Sequence, residues 1–268
     1  MPSIAPAVLL DVYTVLGSQE RALSDRFIDV ERRAAPGVAH LRLSRSECLN
    51  ALHAPLVKEL LKAIREIEAD PDTRVYLLSG ADRADGAPCF SAGADLRAAE
   101  GDRFTDAELG LRLTDAIAGG RTPSIALVDG VCSTGGAEIA LACDLRLVGA
   151  AAQISDWHLK KLGTGLGGWG GSTRWARLIG LQRTKELLLT GKVLSAQDAL
   201  ACGFAIEACA SSELIARGCQ LGEVIAAMNP DGVAMTLSQL ELAEDLSQDT
   251  AIRLAESARR RLRRRSGS

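Results

Sequence analysis

Residues 133–144 read Ser133-Thr134-Gly135-Gly136-Ala137-Glu138-Ile139-Ala140-Leu141-Ala142-Cys143-Asp144. The pattern is a loop that runs into a short helix of small residues. A glycine turn that opens a helix leaves backbone N–H groups with no partner inside the helix. Helped by the helix dipole, such donors suit a developing oxyanion. A second glycine-containing turn lies near Gly93. Brought together, the two turns would hold one thioester or carbonyl oxygen between two N–H groups; taken alone, Gly-Gly before a helix is usually close packing or a cap. Glu138 sits in the first turn of this otherwise apolar helix, where desolvation raises a carboxyl pKa and the dipole lowers it. On a surface it complements the dipole, and buried beside an oxyanion hole it is a general acid/base.

Outward from this stretch, α and β elements interleave. Ser124 to Val128 and Leu145 to Val148 are apolar strand runs on either side of it. Upstream, Phe27 to Glu31 and Val38 to Leu43 alternate as strands, with Gly37 as the turn between them. Pro55 opens a helix whose apolar positions Leu56, Leu60, Ile64 and Ile67 share one face. Arg74 to Leu78 reads as a strand, 80–94 as a loop, and Asp106 to Ile117 as a helix stopped by Gly119 and Gly120. Residues 163–171 form a glycine-dense loop, after which the chain reads as helices to its end. Ser195 is the expected N-cap of a helix over 196–201, with Gly203 as its stop. The class is mixed α/β. The organisation expected is an extension over 1–25, a core over 26–205, a helical region over 206–258 and a basic tail over 259–268.

The chain has 268 residues, 47% of them hydrophobic, enough for a sizeable core. No stretch approaches the ~18 continuous apolar residues of a membrane span. Lys and Arg number 31 against 34 Asp and Glu, and six of the arginines fall between Arg259 and Arg265. The rest of the chain carries 25 basic and 34 acidic residues, a net charge of −9. An acidic body argues against nucleic acid as a partner, and the arginines read as a solvated helix end. Seven cysteines without a C-x-x-C pair fit reduced thiols in the cytoplasm better than a disulfide or zinc scaffold. The scattered His40, His53 and His158 offer no metal motif.

Several ordered motifs resemble those of the crotonase superfamily, the enoyl-CoA hydratase/isomerase family. Cys48-Leu49-Asn50-Ala51-Leu52 is similar to its L-N-A-L segment near coenzyme A. Cys89-Phe90-Ser91-Ala92-Gly93-Ala94-Asp95-Leu96 is similar to its F-x-A-G-A-D-L loop. Thr122 to Gly130 resembles its P-x-I-A-x-V-N-G strand, with Asp129 in place of Asn, and Gly135 to Asp144 resembles its G-G-x-E-L-A-L-x-C-D helix. Leu187 to Gly191 and Ala196 to Ala199 resemble its L-T-G…A-x-x-A segment. The resemblance spans about Phe27 to Glu256. It implies a crotonase-like fold of repeated ββα turns with a helical C-terminal region, assembled as a homotrimer or homohexamer. It implies an acyl-CoA substrate, with coenzyme A entering as part of that substrate and no separate cofactor. By motif position it implies Ala92 and Gly135 as oxyanion-hole donors and Glu138 as the residue that helps activate water. Ala51, Ala94, Asp95, Leu96 and Trp157 are the expected substrate-binding positions.

One departure bears on the chemistry. The family's second glutamate is absent from Ile154-Ser155-Asp156-Trp157-His158-Leu159-Lys160-Lys161-Leu162-Gly163. Counting forward from Ile154 puts His158 at its place, and counting back from Gly163 puts Leu159 there. His158 is the candidate second catalytic group, because imidazole titrates near neutral pH; otherwise it is a polar residue on the loop surface. Asp156 shares a side with His158 if the segment is extended and does not if it is helical. Trp157, Trp169 and Trp175 fall within or beside this segment, either lining an acyl pocket or packing the loop. The C-terminal arginines either meet the phosphates of coenzyme A or stay solvated. Three functions stay open at this level: an enoyl-CoA hydratase, a lyase or thioester hydrolase on a β-oxo or β-hydroxy acyl-CoA, and a non-catalytic acyl-CoA-binding homologue.

Overall fold

The central strands carry continuous apolar runs because both of their faces are covered. The computed structural model describes residues 26–98 and 108–265, without the side chains of 263–265. The 1–25 extension and the Asp106 helix start lie outside the described residues. Strands β1 (Ile28–Ala35), β2 (Val38–Leu43), β3 (Val75–Gly80), β5 (Ser124–Val128), β7 (Leu145–Gly149) and β10 (Glu207–Cys209) form one sheet in the order β1-β2-β3-β5-β7-β10. All its pairings are parallel except β1–β2. Along β3 and β5, Tyr76, Leu78, Ala126 and Val128 enter the main core, while Val75, Leu77, Ile125 and Leu127 enter a second cluster on the opposite face. Helix α1 (Ala54–Ala69) brings its expected stripe of Leu56, Leu60, Ile64 and Ile67 into the main core.

A smaller sheet holds β4 (Cys89–Ser91), β6 (Val131–Ser133), β8 (Gln153–Ser155) and β9 (Val193–Ser195), in that order. The connections between the two sheets repeat. β3 leads to β4 and then to α2 (Glu108–Ala118), β5 to β6 and α3 (Gly135–Ala142), and β7 to β8 and α4 (His158–Leu162). These are the ββα turns that the resemblance implies. Each turn adds one parallel strand to each sheet, so β4, β6 and β8 all point the same way.

Helices α5 (Gly171–Ile179), α6 (Leu181–Thr190) and α7 (Ala196–Cys202) follow, then α8 (Leu214–Ala226), α9 (Pro230–Ala243) and α10 (Gln248–Arg265). Helix α8 covers the outer face of the large sheet. A Cβ at Gly218 would stand 2.7 Å from Leu127 and one at Gly222 2.9 Å from Val38, so glycine lets the helix sit close on the strands. The helical region is thereby packed onto the core. The boundary expected after residue 258 falls inside α10, and the arginine run from Arg259 to Arg265 is helical.

Five short strands differ from the sequence reading. β4 lies inside the segment read as a loop, β6 ends on Ser133 where a loop was read, β8 lies in the stretch before the glycine loop, and β9 and β10 interrupt the region read as all helix. Each has three residues, too few for alternation to show. Their pairing comes from neighbours distant in the chain. Helix α7 has its expected cap and stop and runs one residue past the expected end, to Cys202. Ser195 Oγ accepts from the Asp198 N–H at 3.1 Å, the Asp198 carboxylate accepts from the Ser195 N–H at 3.0 Å, and Gly203 follows at φ 84°. Ser195→Ala removes the serine half of this reciprocal cap and should cost about 1 kcal/mol. The measurement is a lower urea midpoint with an unchanged slope.

Candidate active site

The parallel strands β4, β6 and β8 are hydrogen-bonded neighbours, so their carboxyl ends deliver three loops side by side. The first carries Ala92 to Asp95, the second Thr134 to Glu138, and the third Asp156 to His158. The first two loops are pressed together. Gly93 adopts φ 92°, and a Cβ there would lie 1.8 Å from Thr134 Oγ1. A Cβ at Gly136 would lie 2.6 Å from the Ser91 carbonyl. Thr134 itself has φ 46° and ψ −115°, a strained conformation for a β-branched residue.

These contacts correct one expectation. The Ala92 N–H donates to the Leu49 carbonyl at 3.0 Å, so it is not available as an oxyanion donor. Two residues on, the backbone is clamped against Leu52. The Leu52 N–H donates to the Gly93 carbonyl at 2.8 Å and the Asp95 N–H to the Leu52 carbonyl at 2.8 Å. Between those two bonds, Ala94 pairs with Leu52 as a parallel bridge residue. Among the described residues no hydrogen bond occupies the Ala94 N–H or the Gly135 N–H. In a parallel bridge successive N–H groups point to opposite sides, so the Ala94 N–H is left open in this loop, and Gly135 is the first N–H of α3.

Glu138 is 1% exposed. Its Oε1 accepts the N–H groups of Trp169 at 2.8 Å and Gly171 at 3.0 Å. The glycine-dense loop thus folds around this carboxylate. A Cβ at Gly167 would stand 2.6 Å from Oε1 and one at Gly171 2.9 Å. Glu138 Oε2 faces His158 Nε2 at 3.6 Å, beyond direct hydrogen-bond length. On the far side of the ring, His158 Nδ1 lies 2.8 Å from Asp156 Oδ1, which also accepts the His158 backbone N–H at 3.1 Å. Between Asp156 and His158 the segment is neither extended nor helical. A turn at the start of α4 puts the two together, and it brings His158, not Leu159, to Glu138.

Burial raises the Glu138 pKa, and His158 and the two loop N–H groups only partly offset it. For His158, burial works against the charged ring. The hydrogen bond and charge of Asp156, with the charge of Glu138, outweigh that and raise its pKa above the ordinary 6.5. A carboxyl and an imidazole, both shifted upward, therefore share one buried site beside two open N–H donors.

The remaining expected positions divide. Arg45 reaches both the Ala51 carbonyl at 3.0 Å and the Asp95 carboxylate at 2.5 Å, tying the 45–51 turn to the loop after β4. Leu96 is exposed. Trp157 is buried among Leu49, Cys89, Ala92 and Val131, with its ring N–H on the Gly191 carbonyl at 3.0 Å, so it packs the loop rather than lining an open pocket. Trp175 is fully buried and stacks on Phe204. Trp169 is the tryptophan at the site. Its ring lies on Gly110 of α2 and against Gly135, where a Cβ would stand 2.8 Å away. The sequence signal for these roles was the glycine density of 163–171, which follows from close approach to a buried carboxylate. Among the described residues no group of His, Cys, Asp and Glu side chains is placed to hold a metal ion.

Known proteins agree with this architecture. The family description "Enoyl-CoA hydratase/isomerase" matches residues 33–261. The chain is 32% identical over 224 residues to the mitochondrial enoyl-CoA hydratase of Pongo abelii, covering 82% of this chain and 75% of that protein. It is 30% identical over 222 residues to the short-chain-enoyl-CoA hydratase of Clostridium acetobutylicum, covering 80% and 82%. Among solved structures, the enoyl-CoA hydratase of Bacillus anthracis superposes with a TM-score of 0.78 at 27% identity, over 88% of this chain and 90% of that one. With its ββα turns and its motifs in family order, the chain belongs to the enoyl-CoA hydratase/isomerase family of the crotonase superfamily.

Proposed function

We propose that the protein is an enoyl-CoA hydratase, adding water across the double bond of a 2-enoyl-CoA. The observation that carries the reading is the Glu138–His158 pair, with 3.6 Å between Oε2 and Nε2, beside the open N–H groups of Ala94 and Gly135. The two N–H groups receive the thioester oxygen and stabilise the enolate as its charge develops. Glu138 starts as the carboxylate and His158 as the imidazolium. Glu138 Oε2 takes a proton from water as the water oxygen bonds to the β-carbon. The double-bond electrons move toward the thioester oxygen, and His158 Nε2 delivers its proton to the α-carbon. Proton transfer from Glu138 to His158 then restores the pair. Each upward shift suits its role, since it gives a stronger carboxylate base and a ring that keeps its proton to higher pH than a free imidazole. Coenzyme A enters as part of the substrate, and the reaction needs no further cofactor.

The similarity to proteins named enoyl-CoA hydratase supports this chemistry. We further propose a cytoplasmic location, supported by seven cysteines that are all unpaired. No helix among the described residues is long and apolar enough to cross a membrane. We also propose assembly as a trimer or a pair of trimers. Supporting it, Val224, Met228, Leu240, Leu242 and Ile252 of the C-terminal helices and their links are exposed apolar side chains that an assembly would cover.

Three outcomes test these readings. The enoyl-thioester absorbance of crotonyl-CoA should fall with the wild-type protein, and Glu138→Gln and His158→Gln should each lower kcat by about 10²- to 10⁴-fold. A wild-type protein that leaves the absorbance unchanged would sink the hydratase reading for short chains. The plot of kcat/KM against pH should be a bell. Its acid limb reports protonation of the Glu138 carboxylate, and its alkaline limb reports loss of the shared proton, which the raised His158 pKa places above 6.5. His158→Gln should erase the alkaline limb. In light scattering, the protein should give three or six times the chain mass of 28.2 kDa, and a monomer would overturn the assembly.

A further inference from the structure

The turn between β8 and α4 buries a second carboxylate to which the hydration steps assign no proton. Asp156 is 1% exposed. Its Oδ1 serves both the His158 backbone N–H and ring Nδ1, at 3.1 and 2.8 Å. Its Oδ2 is buried and has no hydrogen-bond partner among the described residues. A cap for a five-residue helix needs only one acceptor, and Ser or Asn supplies it without burying a charge. Burying a carboxylate with one oxygen unsatisfied is costly, so a cap alone does not account for the residue.

The surroundings of the ring leave one other use. The charges that act on the imidazole are Asp156 and, from α3, Glu138. Lys160 and Lys161, on the same helix as His158, lie over the Trp157 ring at 4.8 and 5.9 Å from its centre. On α6, which packs against α4, Glu186 is paired with Lys192 at 3.2 Å. Asp156 and Glu138 thus hold the ring from opposite nitrogens.

We propose that Asp156 is a positioning residue: by accepting the Nδ1–H bond it fixes His158 in the tautomer whose Nε2 faces Glu138, so that an Asp–His couple works where the family places a second glutamate. This rests on the hydration reading for its catalytic consequence. After Nε2 gives its proton to the α-carbon, the neutral ring keeps Nδ1–H on Asp156 and leaves the Nε2 lone pair toward Glu138. The proton that Glu138 took from water then has an acceptor. A ring free to carry its proton on Nε2 offers Glu138 none, and the cycle stalls in that fraction of molecules.

The test uses the full chain labelled with ¹⁵N in its histidine rings. Three imidazoles are present, and His158→Gln assigns the third. The expected spectrum of the neutral wild-type ring has its proton on Nδ1. Asp156→Asn should lose that preference, lower kcat for crotonyl-CoA by about 10²- to 10⁴-fold, move KM by no more than about threefold and shift the alkaline limb of the pH profile downward. Asp156→Glu should recover part of the loss in kcat. A neutral wild-type ring protonated on Nε2 would overturn the proposal without any variant, which covers the case in which Asp156→Asn fails to fold. An Asp156→Asn protein with unchanged tautomer and unchanged kcat would reduce Asp156 to a cap and overturn it equally. A wild-type protein that holds Nδ1–H yet hydrates nothing would instead defeat the hydratase reading and leave the positioning of the ring standing.

Discussion

Burying the Glu138 carboxylate is the constraint around which the rest of the structure is arranged. A lone carboxylate in an apolar interior is held there only by neighbours that compensate it. Two of these are backbone N–H groups, from Trp169 and Gly171, at 2.8 and 3.0 Å. They reach the carboxylate because 163–171 is rich in glycine and approaches more closely than side chains allow. The third is His158, carried in at the start of α4, just after strand β8. The small residues of α3, the glycine loop and the order of β4, β6 and β8 all follow from fitting compensation around one buried acid.

The consequence for chemistry is a site with its proton inventory built in. Glu138 is pushed toward holding a proton by burial, and His158 is pushed the same way by two carboxylates that overcome burial. Both groups hold their protons to higher pH than they would in water, which suits a general base and a general acid that work together. The loop after β4 makes a complementary contribution. It spends the Ala92 N–H on the Leu49 carbonyl and the Asp95 N–H on the Leu52 carbonyl, which fixes the backbone and leaves the Ala94 N–H without a partner among the described residues. A donor fixed by its neighbours' bonds needs no reorganisation when charge develops, and that preorganisation is where an oxyanion hole gains its effect.

The C-terminal arginines belong to a different part of the molecule. Arg259 and Arg260 pair with Glu256 one turn back at 2.8 and 3.0 Å, within an exposed helix. They therefore read as part of a solvated helical end. Surface pairs of this kind add little to stability. The C-terminal region joins the body through α8, seated on the outer face of the large sheet at Gly218 and Gly222, and through Arg177, which pairs with Glu244 and Asp245 at 3.2 and 2.6 Å.

The sequence by itself determined the long elements, the family and the identity of the central acid. Leu56, Leu60, Ile64 and Ile67 repeat at helical spacing, Val75 to Leu78 and Ser124 to Val128 run apolar because both faces are buried, and Ser195 and Gly203 bound α7 through local capping. Each signal is carried within a few residues, so it is visible along the chain. The three-residue strands, the choice of Ala94 over Ala92 and the coupling of Asp156, His158 and Glu138 were decided only by the tertiary structure. A strand of three residues is defined by its partner, an open N–H by what its neighbours have already bonded, and a shifted pKa by charges from elsewhere in the sequence. His158 lies 20 residues from Glu138 along the chain. The parallel pairing of β6 with β8 turns that separation into 3.6 Å, and hydrogen bonding between strands is a contact that sequence spacing does not record.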